Sequence, residues 1–400
     1  MSILIKNGII LTPFRRFIGD IFIENERISK LCENSLCDIS TDVLEIDAGG
    51  LYVSPGFIDI HTHGAGGYDI SDGNQDSFLQ MALWKKKMGV TTFLPTTIAL
   101  PFSKIQHIIS IFKDLVDNNI YKEEGAPYMP GLHLEGPFFS QAQRGAQPKE
   151  HIYPPTDEMK QYLIENVGYI AEISMAPEIE GALNLGYELS KRGTVVSIGH
   201  SDATFYEVVR AVEAGFRLVT HIYSGCSMVK RINLFRVAGV VEAGLLLSEL
   251  TVEVIGDGKH LPPSLLRLIF KNKGVSGVVG ITDSISAAGL GEGEYRLGEH
   301  EIIIEDGIAK LKDRSSFAGS IAWTNQIVKN FHELVGLPME DAVKPLTLNP
   351  ARLLGLYPER GVISEGVIAD ITIFDENLDI FYTIREGKII YKKEDKKDED

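Results

Sequence analysis

The chain has 400 residues, of which 44% are hydrophobic and 24% are charged, and this composition is typical of a globular protein with a large buried core. Its formal net charge of −16 argues against a nucleic-acid or anionic-membrane partner, because such partners need a basic surface. The three cysteines follow no disulfide pattern, and neither a signal peptide nor a run of ~18 apolar residues is present, so we expect free thiols and a cytoplasmic protein.

Short strands and turns make up the first part of the chain, residues 1–53. Apolar runs predict strands at Ile3–Leu11, Asp20–Glu24 and Leu44–Ile46, with a tight turn at Asn25–Arg27. We interpret this segment as the N-terminal part of a small β domain.

From residue 54 onward, apolar strand-like runs alternate with amphipathic helical patterns. Strands that are apolar on both faces and separated by helices predict a parallel sheet that is buried on both sides. The predicted strands are Val53–Ile60, Thr91–Leu94, Gly131–Leu134, Tyr169–Ser174, Thr194–Ile198, Leu218–Thr220, Thr251–Ile255 and Val275–Ile281. An α/β fold with a (β/α)8 TIM-like barrel over residues 54–358 fits this count and length, and an open doubly wound sheet is the alternative.

The pattern changes again after the eighth predicted strand. Tyr295–Leu311 alternates like a hairpin and is expected as an insertion, and helical patterns follow as far as Leu356. Residues 359–392 return to strands and are interpreted as the C-terminal part of the small β-sandwich domain, so that both chain ends build it. Residues 393–400 are a charged tail.

Side chains that can carry chemistry follow the predicted strand ends, where the active sites of barrels form. His61 and His63 end the first strand, and side chains two residues apart in an extended segment lie on the same face. Two imidazoles on one face suit a metal ion, although a pair of hydrogen-bonded histidines is the alternative. Because several strands bring such groups to one rim, we predict a metal site. The predicted ligands are His61, His63, Glu135, His200, His221 and Asp283.

The ligand types suggest how metal ions are shared. Glu135, His200 and His221 offer one ion an oxygen and two nitrogens and leave a position for water, as in catalytic sites. His61 and His63 can hold a second ion, with Glu135 as a bridge between the two.

Two further rim residues have predicted catalytic roles. A bound metal lowers the pKa of its water to ~7 and polarises a carbonyl. Asp283 is suited to take the proton from that water and return it to a leaving amine. His260 is placed to hydrogen-bond the substrate carbonyl, with a structural role at the start of a helix as the alternative.

Several of these segments belong to a wider set of recognisable motifs. They are Pro55–Gly64, Gly131–Phe138, Gly199–Ser201, Thr220–His221, Asp257–His260, Thr282–Asp283, Phe317–Ser320 and Leu348–Arg352. The set covers nearly the whole chain and resembles the amidohydrolase superfamily, most closely its sugar-phosphate deacetylases. The resemblance implies hydrolysis of the acetamide of N-acetylglucosamine 6-phosphate to glucosamine 6-phosphate and acetate.

The resemblance also implies cofactor and partner. Members hold one or two divalent ions per subunit, and the presence of both His61 and His63 favours two. Zn or Fe is expected, and mixed nitrogen and oxygen ligands also suit Mn or Co. A homodimer is expected, because phosphate sites of the family borrow an arginine from the neighbouring subunit.

Substrate contacts follow from the same resemblance. The implied substrate-binding residues are Ala146, Gln147, Ser224, Gly225, Arg231, Asp257, His260, Phe317, Ala318 and Gly319. Two departures from the family pattern fall among them. Gln147 stands where many members have a histidine, and Ser224–Arg236 lacks the usual Arg-Glu-Pro-Gly element that supplies the phosphate-binding arginine. Arg231 is the nearest candidate for that role, with Lys230 and Arg236 as alternatives.

Other functions stay open at the level of sequence. The altered segment admits another N-acetylhexosamine phosphate, such as N-acetylgalactosamine 6-phosphate, or a cyclic amide or an aminated ring. A non-catalytic sugar-phosphate sensor would be indicated by the loss of Asp283 or of a metal ligand, and none is missing. We therefore expect a metal-dependent deacetylase that acts on a phosphorylated N-acetyl amino sugar.

Overall fold

The structure is a computed structural model that describes residues 2–34, 43–298 and 300–394. Cys37 and the end of the charged tail lie outside the described residues. Cys32 is disulfide-bonded, so the expectation of a free thiol is wrong for this residue, whereas Cys226 is a buried free thiol. Within the described residues, no helix combines the length and the apolar character that crossing a bilayer requires.

The part of the chain that the structure describes contains eight parallel strands that form a nearly closed barrel. In chain order the barrel strands are Phe57–Thr62, Val90–Thr97, Leu132–Glu135, Ile170–Met175, Val195–Ile198, Leu218–Val219, Thr251–Ile255 and Val278–Ile281. They pair in strictly sequential order, and a bridge between Thr62 and Ser284 joins the first strand to the segment that follows the eighth. The predicted barrel is confirmed, and the doubly wound alternative is wrong because that fold requires a reversal of strand order.

Helices follow the barrel strands and cover the outside of the sheet. The helices are Gln75–Lys87, Phe102–Asp117, Ile120–Glu123, Asp157–Glu165, Ala182–Ser190, Phe205–Glu213, Val240–Leu246, Pro263–Lys273, Thr324–Asn330, Met339–Ala342 and Leu348–Leu353, with a π-helical turn at Phe331–Val335. The second of them shows why they form. Ile105, Ile108, Phe112 and Leu115 are buried, and their spacing of three and four residues places them on one helix face.

Both ends of the chain build a second sheet. Its strand order is Lys388–Lys392, Ile380–Arg385, Ile371–Phe374, Tyr52–Pro55, Ile3–Leu11, Arg16–Glu24 and Arg27–Glu33, with Leu44–Asp47 also paired to Ile3–Leu11. Most neighbours are antiparallel, but Ile3–Leu11 runs parallel to Tyr52–Pro55 and to Leu44–Asp47. Buried Ile5 and Ile373 belong to the separate apolar core of this sheet. The predicted small β domain from both chain ends is therefore present.

Small antiparallel sheets lie in the loops at the carboxyl ends of the barrel strands. They consist of Gly64–Ala65 with Tyr68–Asp69, Lys230–Ile232 with Phe235–Val237, and Gly293–Leu297 with His300–Glu305 and Ile308–Leu311. The last of them replaces the hairpin predicted at Tyr295–Leu311. Gly298 adopts a positive φ of 55°, and the turn there divides the predicted first arm into two strands.

A buried ion-pair network ties the C-terminal strands together beside the barrel. The Arg360 guanidinium donates to the carboxylates of Asp370 and Glu386, and it lies 4.4 Å from the ring centroid of Tyr128, just before the third barrel strand. Arg360 and Asp370 are both almost fully buried. Removing one partner of such a pair leaves an uncompensated charge in the interior, which is strongly destabilising.

We expect Arg360→Met to lower the free energy of unfolding by about 3–5 kcal/mol, because Asp370 stays buried without its cation. Urea denaturation followed by circular dichroism measures the loss. Arg192→Met is the matched control, since Arg192 forms an ion pair with Glu188 at the surface and such pairs contribute ~0–1 kcal/mol. Equal stability of the two variants would contradict the importance of the buried network.

Candidate metal centre

The residues predicted as metal ligands lie together at the carboxyl ends of the barrel strands. His61 belongs to the first strand and His63 follows it, Glu135 ends the third strand, and the remaining ligands stand two residues beyond the fifth, sixth and eighth strands: His200, His221 and Asp283. All six are buried, with at most 7% of any residue exposed. The barrel thus brings together side chains that are far apart in sequence.

One oxygen of Glu135 faces several imidazoles. Glu135 Oε1 lies 2.8 Å from His221 Nε2 and 3.1 Å from His200 Nε2. The same oxygen is 3.6 Å from His61 Nε2. The ligand atoms of His61, Glu135 and His221 all lie within 4.8 Å of one another, which allows a single ion to contact them together.

A second group of ligand atoms lies beside the first. His63 Nε2 is 3.1 Å from Asp283 Oδ1 and 3.3 Å from His61 Nε2. The ligand atoms of His61, His63 and Asp283 also lie within 4.8 Å of one another. The other oxygen of Glu135, Oε2, is 3.6 Å from His63 Nε2. Glu135 therefore turns one oxygen to each group, and His61 belongs to both.

The four histidines share an orientation that suits metal binding. Each Nδ1 faces a hydrogen-bond acceptor, so each Nε2 is turned toward the centre, where it can offer a lone pair to a metal ion. The acceptors are the backbone oxygens of Gln143 for His200 at 2.8 Å, Ser224 for His221 at 3.0 Å and Thr96 for His63 at 3.3 Å, and Glu253 Oε2 for His61 at 3.1 Å. Converging imidazole nitrogens and carboxylate oxygens are the donor set of divalent Zn or Fe sites, so the residues fit such an ion.

The charges around the centre favour a cation. Burial opposes ionisation of Glu135, but hydrogen bonds from His200 and His221 hold the pKa of its carboxyl well below the ordinary value. Burial acts to lower the pKa of His63, yet the hydrogen bond with Asp283 and the nearby carboxylate charges raise that pKa to about 9. The pKa of His221 is also raised to about 9, against burial, through Glu135. The centre thus attracts positive charge, which a divalent ion supplies more fully than protons do.

Three of these residues have an unusual backbone conformation. His200, His221 and Asp283 have positive φ angles of 47°, 26° and 48°, a region that residues other than glycine rarely adopt. Such strain persists only where the surrounding structure holds it, and it is concentrated at functional sites. The backbone N–H of Asp283, for example, donates to the oxygen of His61 at 2.9 Å.

A buried lysine supports the segment that carries Asp283. Lys85 Nζ donates to Asp59 Oδ2 at 2.8 Å, and it also contacts the hydroxyls of Thr282 at 3.2 Å and Ser284 at 3.0 Å. Lys85 and Asp59 are both fully buried. This network fixes the residues on either side of Asp283.

The metal centre opens into a cavity of about 180 Å³. Pockets for drug-sized ligands occupy ~300–1,000 Å³, so this cavity suits a smaller molecule. The predicted substrate residues that line it are Ala146, Gln147, Ser224, Gly225, His260, Phe317 and Gly319.

The other predicted substrate residues lie outside the cavity lining. Asp257 Oδ2 accepts from His260 Nδ1 at 2.7 Å, so it contacts a lining residue instead. Ala318 is fully buried. Arg231 is exposed on the Lys230–Ile232 strand of the hairpin that follows the sixth barrel strand.

Both polar atoms of the Gln147 side chain form hydrogen bonds within the protein. Its Oε1 accepts from the backbone N–H of Ala99 at 2.8 Å, and its Nε2 donates to Glu135 Oε2 at 2.5 Å. The residue that replaces the histidine of many family members therefore orients the carboxylate that faces both ligand groups.

Sequence reasoning missed two buried glutamates beneath the centre. Glu172 in the fourth strand and Glu253 in the seventh are fully buried. Burial, together with the charge of Glu253, raises the pKa of Glu172 well above its ordinary value. The signal was a single glutamate inside each of two apolar strand runs, Ile170–Met175 and Thr251–Ile255.

Comparisons with known proteins extend the geometric findings. Residues 52–392 match the model of the Amidohydrolase family. The N-acetylglucosamine-6-phosphate deacetylase of Lysinibacillus sphaericus is 31% identical over 391 residues, which cover 97% of this chain and 98% of that relative.

Solved structures show the same similarity. The N-acetylglucosamine-6-phosphate deacetylase of Pasteurella multocida superposes with a TM-score of 0.90 at 26% identity, covering 97% of this chain and 99% of that one. The Thermotoga maritima enzyme of the same name gives 0.87 at 33% identity, covering 98% of this chain and 100% of that one. The similarity includes both the barrel and the small β domain.

We expect the chelator-treated protein to gain thermal stability when divalent metal is added. A ligand present at 100 times its Kd stabilises the folded state by about 2.7 kcal/mol, and calorimetric scans with and without Zn²⁺ measure this. Glu135→Gln serves as the control, because it removes the carboxylate that faces both groups and should reduce the gain. Identical melting temperatures of the native protein with and without metal would refute a metal centre.

Proposed function

This chain belongs to the amidohydrolase family, and we propose that it hydrolyses the acetamide of N-acetylglucosamine 6-phosphate to give glucosamine 6-phosphate and acetate. The observation that carries the proposal is the convergence of four histidines with Glu135 and Asp283 at the base of a small cavity. Relatives named for this activity match nearly the whole length of the chain and support the assignment.

The metal-binding residues divide into two sets in this proposal. Glu135, His200 and His221 would hold one ion, and His61, His63 and Asp283 would hold a second. When bound, a divalent ion polarises the amide carbonyl and lowers the pKa of a water molecule toward ~7. Zn or Fe is proposed, and Mn or Co also suits the donor atoms.

Asp283 is proposed to move the proton. Burial acts to raise the pKa of its carboxyl, but the hydrogen bond from His63 and the charges of the neighbouring histidines hold this pKa below its ordinary value. The carboxylate is therefore ionised at neutral pH. It accepts a proton from the attacking water and then donates this proton to the leaving amine nitrogen.

His260 is proposed to stabilise the developing negative charge on the carbonyl oxygen. Its Nδ1 is bound to Asp257, and its ring packs edge-on against Phe317 with a centroid distance of 4.8 Å. The ring is thus held in one orientation at the cavity wall, and its Nε2 is the nitrogen available to the substrate. A hydrogen bond from Nε2 that strengthens as charge develops lowers the barrier.

Close approach of the sugar to the backbone is proposed at Gly319. This residue has a positive φ of 59°, and an added Cβ would lie 2.8 Å from the Asp283 backbone oxygen. Only glycine fits both conditions, so the chain can pass closely beside Asp283 and place the Gly319 backbone in the cavity lining.

The phosphate is proposed to bind Arg231 of a second subunit. Arg231 lies outside the cavity lining, on a hairpin whose Leu234 and Phe235 are 75% and 76% exposed. These exposed apolar residues support the proposal that the hairpin lies at a homodimer interface. Lys230 is less suited to the role because it already forms an ion pair with Asp202 at 2.8 Å. A cytoplasmic location stays a prediction from the sequence.

We expect Asp283→Asn to lower kcat by about 10²–10⁴, because the amide cannot accept the proton of the attacking water. Acetate release from N-acetylglucosamine 6-phosphate measures turnover, and metal analysis of the same sample verifies that ions remain. Turnover equal to that of the native protein would remove Asp283 from the mechanism. A sugar-phosphate sensor would bind the substrate and release no acetate in either protein.

We expect Arg231→Ala to raise KM for the phosphorylated sugar about ten- to a hundredfold, the cost of a lost charged hydrogen bond, with little change in kcat. Arg236→Ala is the matched control, because Arg236 lies opposite Arg231 in the same hairpin. A larger increase in KM for Arg236→Ala than for Arg231→Ala would identify Arg236 as the phosphate-binding residue. If unphosphorylated N-acetylglucosamine is hydrolysed with the same kcat/KM, the proposed substrate is wrong, and N-acetylgalactosamine 6-phosphate is the next substrate to compare.

A further inference from the structure

A single buried carboxylate contacts ligands of both metal groups from below. We propose that Glu253 is a positioning residue of the metal centre: its Oε2 fixes the proton of His61 on Nδ1 and also holds the backbone of His221. The inference rests on the proposed metal-dependent function and names a residue that sets the geometry of that centre.

The contact with His61 determines which nitrogen is free. Glu253 Oε2 lies 3.1 Å from His61 Nδ1, and both side chains are fully buried. A carboxylate can only accept a hydrogen bond, so the imidazole proton is placed on Nδ1. The lone pair of His61 Nε2 is then directed into the centre.

His61 is the ligand for which this choice matters most. Its Nε2 is 3.3 Å from His63 Nε2 and 3.6 Å from both Glu135 Oε1 and Asp283 Oδ1. It is the member that the two ligand groups share. A proton on His61 Nε2 would face the ligand atoms of both groups, whereas His200 belongs to neither group.

The partner of His61 also differs in kind from the partners of the other three histidines. His63, His200 and His221 are faced at Nδ1 by neutral backbone oxygens, and His61 is faced by a carboxylate. A carboxylate behind an imidazole makes the far nitrogen a stronger donor to a metal than a carbonyl does. His61, the residue common to both ligand groups, is therefore the histidine whose Nδ1 has the strongest hydrogen-bond acceptor.

The contact with His221 acts through the main chain. Glu253 Oε2 accepts the backbone N–H of His221 at 3.1 Å, and the backbone oxygen of Glu253 accepts from Ile222 at 2.9 Å. His221 has the strained positive φ of 26°. Glu253 thus accepts two hydrogen bonds from the turn that directs His221 toward the first ion position.

The location of Glu253 explains why these contacts are needed. It stands in the middle of the seventh barrel strand, between apolar residues in the chain and beside the buried carboxyl of Glu172, where burial of a carboxylate is costly. The hydrogen-bond donors that offset this cost belong to two metal ligands. Glu172 offers a matched control, because it is an equally buried strand glutamate whose nearest histidine is His133, outside both ligand groups. Glu172 also lies beside Glu253, and a glutamine in its place keeps a hydrogen-bond donor toward that carboxylate.

The test compares Glu253→Gln with Glu172→Gln in chelator-treated protein without substrate. Competition with a chromophoric chelator gives the Zn²⁺ affinity, and the absorption spectrum of the Co²⁺-loaded protein reports ligand geometry. We expect Glu253→Gln to bind both ions about 10–100-fold more weakly, the usual effect of losing such a partner, and to change the Co²⁺ spectrum. Glu172→Gln should match the native protein in both measurements.

Native affinity and an unchanged Co²⁺ spectrum in Glu253→Gln overturn the proposal, and so does an equal loss in Glu172→Gln, which would indicate a general effect on the barrel interior. If Glu253→Gln does not fold, Glu253→Asp carries the same test, because it keeps the charge and withdraws the oxygen from His61. Since substrate is absent, these outcomes are independent of which amide the enzyme hydrolyses. Failure of the proposed deacetylation would appear as normal metal binding without acetate release.

Discussion

The buried carboxylate of Glu135, with imidazoles on both sides, is the interaction on which the rest of the structure depends. Moving an ionised carboxylate out of water costs several kcal/mol, and the cost is recovered only when opposite charge and hydrogen-bond donors surround it. Here His200 and His221 approach one oxygen, and Gln147 and His63 approach the other. The rim of the barrel is arranged to supply these partners.

The barrel brings the side chains that surround Glu135 together because its strands end at one edge. The position of a strand end does not by itself determine the direction of its side chain. The strained backbones of His221 and Asp283 turn these residues inward. Hydrogen bonds to buried groups below the rim stabilise these turns: the backbone N–H of His221 donates to Glu253, and that of Thr282 donates to Asp59, which also binds Lys85. Buried charge in the barrel interior therefore stabilises the geometry of the rim, and the polar layer and the metal centre form one unit.

Much of this arrangement was predictable from the sequence, for a definite reason. The carboxyl ends of parallel strands meet at one edge, so His61, Glu135 and Asp283 could be placed together without coordinates. Contacts between distant side chains were not predictable in this way. The hydrogen bond from Gln147 to Glu135 depends on the conformation of the loop that carries Gln147. The contacts of Glu172 and Glu253 depend on how side chains from different strands pack inside the barrel.

The small sheet has a consequence for how the protein is made. Tyr52–Pro55 pairs with Ile371–Phe374. During translation, the N-terminal strand is therefore synthesised long before the C-terminal strand with which it pairs. During that interval its edge is open to other chains, and open edges promote aggregation. A transcript that stops before Ile371 yields a polypeptide with a permanent unpaired edge beside the first barrel strand.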